Sequence, residues 1–180
     1  MRLLLRSLFA LAVLVAPLSW AETRSVETHF FQSKLGDFKA ELETVKKENK
    51  KGIFLFFEMD ECPWCARMKA TILNQSEVQD FYRAHFLVYS MDVKGDVPMV
   101  DFAGKNTTEK AFALANRVRA TPTMLFVDSA GKIITRFTGP TRNVDEMLLL
   151  GRYVVDDGYK QMPFTQYKQA KPAVSPLRVE

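Results

Sequence analysis

Five consecutive residues, Ile53-Phe54-Leu55-Phe56-Phe57, carry no polar side chain. The run is too short for a helix and too apolar for a strand with one wet face, so it reads as a central, parallel-type strand buried on both sides. What surrounds it supplies the cover. In residues 37–50 the apolar positions Phe38, Leu42 and Val45 recur at helical spacing, with Gly52 as a stop. Lys46, Lys47, Lys50 and Lys51, set among Glu41, Glu43 and Glu48, are expected on a solvated face of that helix.

After the apolar run, Cys62-Pro63-Trp64-Cys65 opens a second helix expected to reach Leu73, with Pro63 suited to a first helical turn. Ser76 is expected to cap a short continuation through Val78, Phe81 and Tyr82. Residues 86–93 are β-branched and aromatic and predict a second strand. Asn106 with Glu109 resembles a capping box ahead of a helix over 111–118, and 94–105 is expected to be loop. Residues 123–127 and 132–137, joined by Asp128-Ser129-Ala130-Gly131, predict an antiparallel hairpin. Thr141 or Asn143 is expected to start a last helix to about Val155, ended by Gly158. The order is helix, strand, helix, strand, helix, hairpin, helix: an α/β chain with a mixed central sheet flanked by helices and an N-terminal helix extension. Phe54, Phe56, Phe86 and Phe126 are expected in its core.

Composition narrows the class without naming a function. The chain has 180 residues, a formal net charge of +4, 47% hydrophobic and 26% charged positions, eight glycines and eight prolines. Those values exclude disordered, collagenous and low-complexity classes, and two cysteines exclude a multi-bridge scaffold. The lysines are interleaved with acids, which argues against a nucleic-acid surface. Arg2 and Arg6 precede an apolar run over 8–16, then Pro17 and Ser19-Trp20-Ala21, the layout of a secretory signal with cleavage expected after Ala21. An uncleaved anchor is the alternative, although the clean apolar stretch is shorter than the ~20 residues of a spanning helix. The folded domain is then expected over 22–168, with 169–180 as a mobile tail carrying Pro172 and Pro176.

The two cysteines carry the chemistry. Three positions apart at a strand-to-helix junction, they fall on one helical turn, close enough to form a disulfide. So small a loop gains little as a structural staple, because the entropic benefit of a cross-link grows with loop length, so a redox role is expected. Cys62, at the positive end of the helix, is the candidate nucleophile, and Cys65, one turn in, the shielded resolving thiol. The expected reaction is attack of the Cys62 thiolate on a disulfide, then release when Cys65 attacks the mixed disulfide. Metal binding is the rival chemistry, but it needs about four ligands, and His29 and His85 are the only histidines beside the pair. No metal or other cofactor is expected.

A strand, Cys-x-x-Cys at a helix start, then Ala120-Thr121-Pro122-Thr123 opening another strand: this arrangement resembles the thioredoxin-like superfamily. The resemblance implies that Pro122 is cis and that Thr121 offers backbone groups to a bound substrate chain; unaided, Pro122 shows only the start of a strand. Phe56-Phe57-Glu58, Cys-Pro-aromatic-Cys and the ending with Tyr153-Val154-Val155, Tyr159, Phe164 and Tyr167 are more narrowly similar to secreted SoxW-type thioredoxin-related proteins of bacterial sulfur oxidation. That similarity spans roughly residues 53–168 and implies a periplasmic dithiol reductase of disulfide-bearing proteins, recharged by a membrane thiol transporter.

Some positions depart from the family pattern. Typical thioredoxins carry Gly-Pro between the cysteines and a buried acid six positions before the first, where this chain has Phe56. Glu58, on the same strand face, is the candidate proton relay, or else an end-of-strand acid solvated or paired with a lysine such as Lys69. Asp60 and Glu61 add negative charge that opposes a thiolate on Cys62. Trp64 stands where strong periplasmic oxidases have a histidine; it cannot become cationic, which favours a reductant over an oxidase. Trp64 is also expected to be an exposed aromatic lid or docking residue, with Pro63, Thr121 and Pro122 at a substrate groove. A disulfide-donating oxidase and a thiol-regulated binding or chaperone module are the alternatives.

Overall fold

The computed structural model describes residues 22–33 and 36–171. The expected signal over 1–21 and most of the expected tail, 172–180, lie outside the described residues. The apolar run is the centre of β1 (Gly52–Glu58), whose first six residues are all buried. It pairs in parallel with β2 (Phe86–Asp92) and antiparallel with β5 (Thr123–Val127), which forms a hairpin with β6 (Ile133–Thr138). The sheet order is β2-β1-β5-β6. β1 is thus central and the sheet mixed, with the parallel partner on one side only.

Alternation along β1 divides the core in two. Ile53, Leu55 and Phe57 face α1 (Phe38–Lys47) and α4 (Glu109–Ala115), where Phe38, Leu42, Val45 and Phe112 meet them. Phe54 and Phe56 face the other way, into a cluster with Phe86 and Phe126. That cluster takes Met68 of α2 (Pro63–Met68), Ile72 and Leu73 of the π-helical turn that continues it, and Tyr82 of α3 (Ser76–His85). Leu150 and Val154 of α5 (Val144–Val155) close it. Each buried aromatic or aliphatic side chain contributes about 1.5–3 kcal/mol by leaving water, so this one strand anchors much of the stability.

Several elements differ from what the pattern suggests. The first helix ends at Lys47, because Asn49 takes a left-handed conformation (φ 52°), and Gly52 opens β1 instead of stopping the helix. Glu41, expected among the solvated acids of α1, is buried. Ser76 makes no side-chain cap; it is the first residue of a separate ten-residue helix. Residues 94–105 hold β3 (Pro98–Val100), which pairs antiparallel with β4 (Asn106–Thr108). Asn106 therefore lies in a strand, and Thr108 is the residue that caps α4, accepting from the Ala111 amide. Of Thr141 and Asn143, it is Asn143 that caps α5, accepting from the Glu146 amide. Gly158 begins a short 3-10 turn, and a further helix, α6 (Phe164–Ala170), carries the fold past residue 168.

The segment before α1 is a substantial part of the fold. Its π-helical turn (Val26–Phe30) and Phe31 bury Val26, Phe30 and Phe31 against Phe54, Phe56 and Tyr82. Gln32 then pairs with Val88 along the outer edge of β2 through its amide and its side-chain oxygen, covering an edge that would otherwise be open. Among the described residues no helix is long and apolar enough to cross a membrane.

Two outcomes follow for stability. A Cβ on Gly52 would stand 2.0 Å from the Val127 carbonyl oxygen, so Gly52→Ala should cost at least about 1–3 kcal/mol in urea unfolding, with an unchanged slope. α6 docks through Lys168, which donates to the buried Glu146 at 2.5 Å. Burial opposes the Glu146 charge, yet hydrogen bonds from Lys168 and the Arg142 amide prevail and hold its pKa below the ordinary 4.5. Its contribution is therefore complete above that ordinary value and disappears as pH falls through the lower folded one. Glu146→Gln should flatten the acid limb of a stability–pH curve in that window.

Candidate active site

β1 and β2 run in parallel, with Glu58 level with Asp92, and the antiparallel β5 sets Thr123 opposite Phe57. The ends of β1 and β2 and the start of β5 therefore share one rim of the sheet. The loop 59–61 leads from that rim to Cys62, which caps α2, and Pro63 holds the first helical position. Cys62 and Cys65 form a disulfide with their Cα atoms 5.2 Å apart. The Cys65 amide donates to Cys62 Sγ at 3.1 Å, so one free amide of the helix start already points at that sulfur. Both residues are shielded, Cys62 at 4% exposure and Cys65 at 1%.

On the same rim, the Thr121–Pro122 peptide bond is cis. Pro122 is buried and Thr121 half-buried, and the turn is held by Thr123 Oγ1, which donates to the Ala120 carbonyl, and by the Gly139 amide on the Pro122 carbonyl. Trp64 projects from α2 at 51% exposure, with the Arg67 guanidinium 5.5 Å from its ring centre.

A cleft of about 280 Å³ opens beside the disulfide. It is lined by both cysteines together with Glu58, Asp60, Lys69, Ser90 and Asp92. Pro63, Trp64, Thr121 and Pro122 do not line it, so the residues singled out from the sequence divide into two groups around the sulfurs. Glu58, the candidate relay, is 16% exposed; Ser90 Oγ donates to it in a short hydrogen bond, and Lys69 Nζ lies 2.7 Å away. Lys69 also reaches Glu27 at 2.8 Å and sits 5.5 Å from the Phe31 ring centre. Burial works against the Lys69 charge, but hydrogen bonds to Glu27 and Glu58 outweigh it and hold the ammonium above the usual lysine range. Glu61 pairs with Lys94 at 2.6 Å, and that hydrogen bond lowers its pKa.

Ser90 and Asp92 were not among the residues read from the sequence. Their signal is the polar interruption at the end of the apolar stretch of β2, level with Phe56 and Glu58 in the register. His29 and His85 do not line the cleft: His29 Nδ1 bonds with Thr28 Oγ1, and His85 Nδ1 with the Phe81 carbonyl. A larger hollow of about 490 Å³, lined by Phe102, Lys105, Phe112 and Gly131, lies on the α4 side and includes neither cysteine.

A strand leading to a Cys-x-x-Cys disulfide at a helix start, with a cis proline ahead of another strand of the same sheet, agrees with the resemblance to the thioredoxin-like superfamily stated above. The chain belongs to that family: residues 38–154 match the thioredoxin-like domain. Among solved structures it is similar to a thioredoxin-fold protein from Helicobacter pylori (23% identity, TM-score 0.56, covering 68% of this chain and 82% of that one). It is similar also to a putative disulphide-isomerase from Bacteroides thetaiotaomicron (23%, 0.54, 70% and 92%). A thioredoxin from Thermus thermophilus is 28% identical, with a TM-score of 0.50 and coverage of 66% and 85%. The search of curated proteins gives no match. Within this thioredoxin-like domain the Cys62–Cys65 disulfide closes the chain's Cys-x-x-Cys motif.

Proposed function

We propose that the protein is a periplasmic thiol–disulfide oxidoreductase that reduces disulfides through Cys62 and Cys65. The observation that carries the reading is the Cys65 amide pointing at Cys62 Sγ at the start of α2. That amide and the helix dipole stabilise negative charge on this sulfur, which makes Cys62 the nucleophile. Its thiolate attacks a substrate disulfide, forming a mixed disulfide and expelling one substrate thiolate. Cys65 gives its proton to Glu58, which lines the same cleft, and then attacks Cys62 Sγ; the substrate's second sulfur leaves and takes up a proton. The products are a reduced substrate and the Cys62–Cys65 disulfide. Trp64, Pro63, Thr121 and the cis Pro122 form the docking rim for the substrate chain, as the resemblance to the thioredoxin-like superfamily implies.

The reducing direction rests on Trp64, which cannot supply the cation that would strongly stabilise the Cys62 thiolate, and on the carboxylates of Asp60 and Asp92 beside the sulfurs. The 28% identity to a thioredoxin supports the same chemistry. Export rests on the Arg2/Arg6, apolar run and Ser19/Ala21 pattern. In an oxidising compartment a reductant must be recharged, and the narrower SoxW-type resemblance makes a membrane thiol transporter the electron donor and a disulfide-bearing periplasmic protein the substrate.

Equilibration of the Cys62/Cys65 couple in thiol buffers tests the direction. A potential near the roughly −270 mV of thioredoxin is expected; one near about −120 mV would make the protein a disulfide donor. Cys62→Ser should abolish disulfide reduction, and Cys65→Ser should accumulate substrates linked through Cys62. Activity that survives Cys62→Ser would leave a thiol-independent binding or chaperone role.

A further inference from the structure

The cleft beside the disulfide is lined by three carboxylates, Glu58 from β1, Asp60 from the loop and Asp92 from the end of β2, against one cation, Lys69. Cys65 lines this cleft with Cys62, and a thiolate forming on it shares the space with those like charges. Lys69 is placed to answer it. Its backbone amide bonds to the Cys65 carbonyl, the ordinary i to i+4 helical contact, so the two side chains rise on one face of the helix. Its ammonium is held from both flanks, by Glu58 and by Glu27 of the N-terminal segment, with the Phe31 ring beneath it. Arg67, the neighbouring cation on α2, is turned outward to Trp64, and Lys94 is engaged by Glu61.

We propose that Lys69 is a positioning residue for the second step of exchange: its ammonium offsets the carboxylates around Cys65 and sets the pH at which the mixed disulfide resolves. The inference rests on the dithiol reading above. In that step the Cys65 thiol loses its proton to Glu58, the new Cys65–Cys62 bond forms, and the Cys62–substrate bond breaks. The departing thiolate takes up the proton, so charge and electrons balance. Glu27 and Phe31 enter because they belong to the segment ahead of α1, which makes that segment a contributor to the site and not only a cover for the core. Cys62 depends on Lys69 less, since the amide at the helix start already serves it.

Stopped-flow reaction of the reduced protein with the chromogenic aryl disulfide dithiobis(nitrobenzoate) separates the two steps. The first release of coloured thiolate reports attack by Cys62, and the second reports attack by Cys65. In Lys69→Met the midpoint of the pH profile of the second release should rise by about one unit, as expected for loss of an opposite charge nearby. The first release should move by less than half of that, and Lys69→Arg should restore the wild-type profile. An unmoved second release in Lys69→Met, an equal shift in both releases, or a shift in Lys69→Arg as large as in Lys69→Met overturns the proposal. A wild-type protein that releases no thiolate would instead remove the dithiol reading beneath it.

Discussion

Two-sided burial of β1 is the constraint from which the rest of the molecule follows. No polar side chain interrupts Ile53 to Phe57, so both faces must be kept from water. One face is covered by α1 and α4, the other by α2, α3, α5 and the segment ahead of α1. A strand enclosed in this way can emerge only at its ends, and it is at the C-terminal end that Glu58, half-buried, restores polarity. The loop that follows is short, so the cysteines are delivered to that same rim. The polar cleft is thus the place where the apolar run stops, and its carboxylate is the first side chain of the strand that water can reach.

What the sequence makes legible is whatever local chemistry decides alone. The burial of β1, the Cys-x-x-Cys helix start, the hairpin of β5 and β6 and the Asn143 cap all rest on patterns a few residues long, and the structure has each of them. Features settled by distant partners are not legible in this way. β3 is three residues long and exists because β4 pairs with it; this same pairing draws Asn106 out of a cap and leaves Thr108 to take the role. Glu41 has the spacing of a surface acid, but its turn of α1 faces inward. α6 follows Pro163 and is fixed by Lys168 reaching Glu146 more than twenty positions earlier in the chain.

Around the sulfurs the same distinction holds. Cys62, Cys65, Glu58 and its pairing with Lys69 can be read from spacing along one strand and one helix. Glu27 and Phe31 cannot, because nothing local says that the segment ahead of α1 returns to β1; Val26 and the adjacent aromatics Phe30 and Phe31, in a mostly polar stretch, are the sign that it is buried. Ser90 becomes a site residue only once the parallel register sets it level with Phe56.

Phe56 itself shows why the polar groups are arranged as they are. Its side chain is fully buried with Phe31 at 5.9 Å and belongs to the cluster of Phe54, Met68 and Met124. An ionised carboxylate there would be cut off from water with only apolar neighbours, at a cost of several kcal/mol or a large pKa shift. Two residues on, at the rim, Ser90 Oγ and Lys69 Nζ both donate to the Glu58 carboxylate. The two sulfurs differ in their partners although they share one turn and one cleft. Cys62 is served by an amide of the helix start, a neutral donor that costs no counter-charge. Cys65 is the more enclosed of the two, and the side chains around the cleft it shares with Cys62 come from the turn after α2, from β1 and, through Glu27, from the N-terminal segment. Such an asymmetry suits a dithiol whose first thiol must be ready to attack while its second stays protonated until a partner is bound.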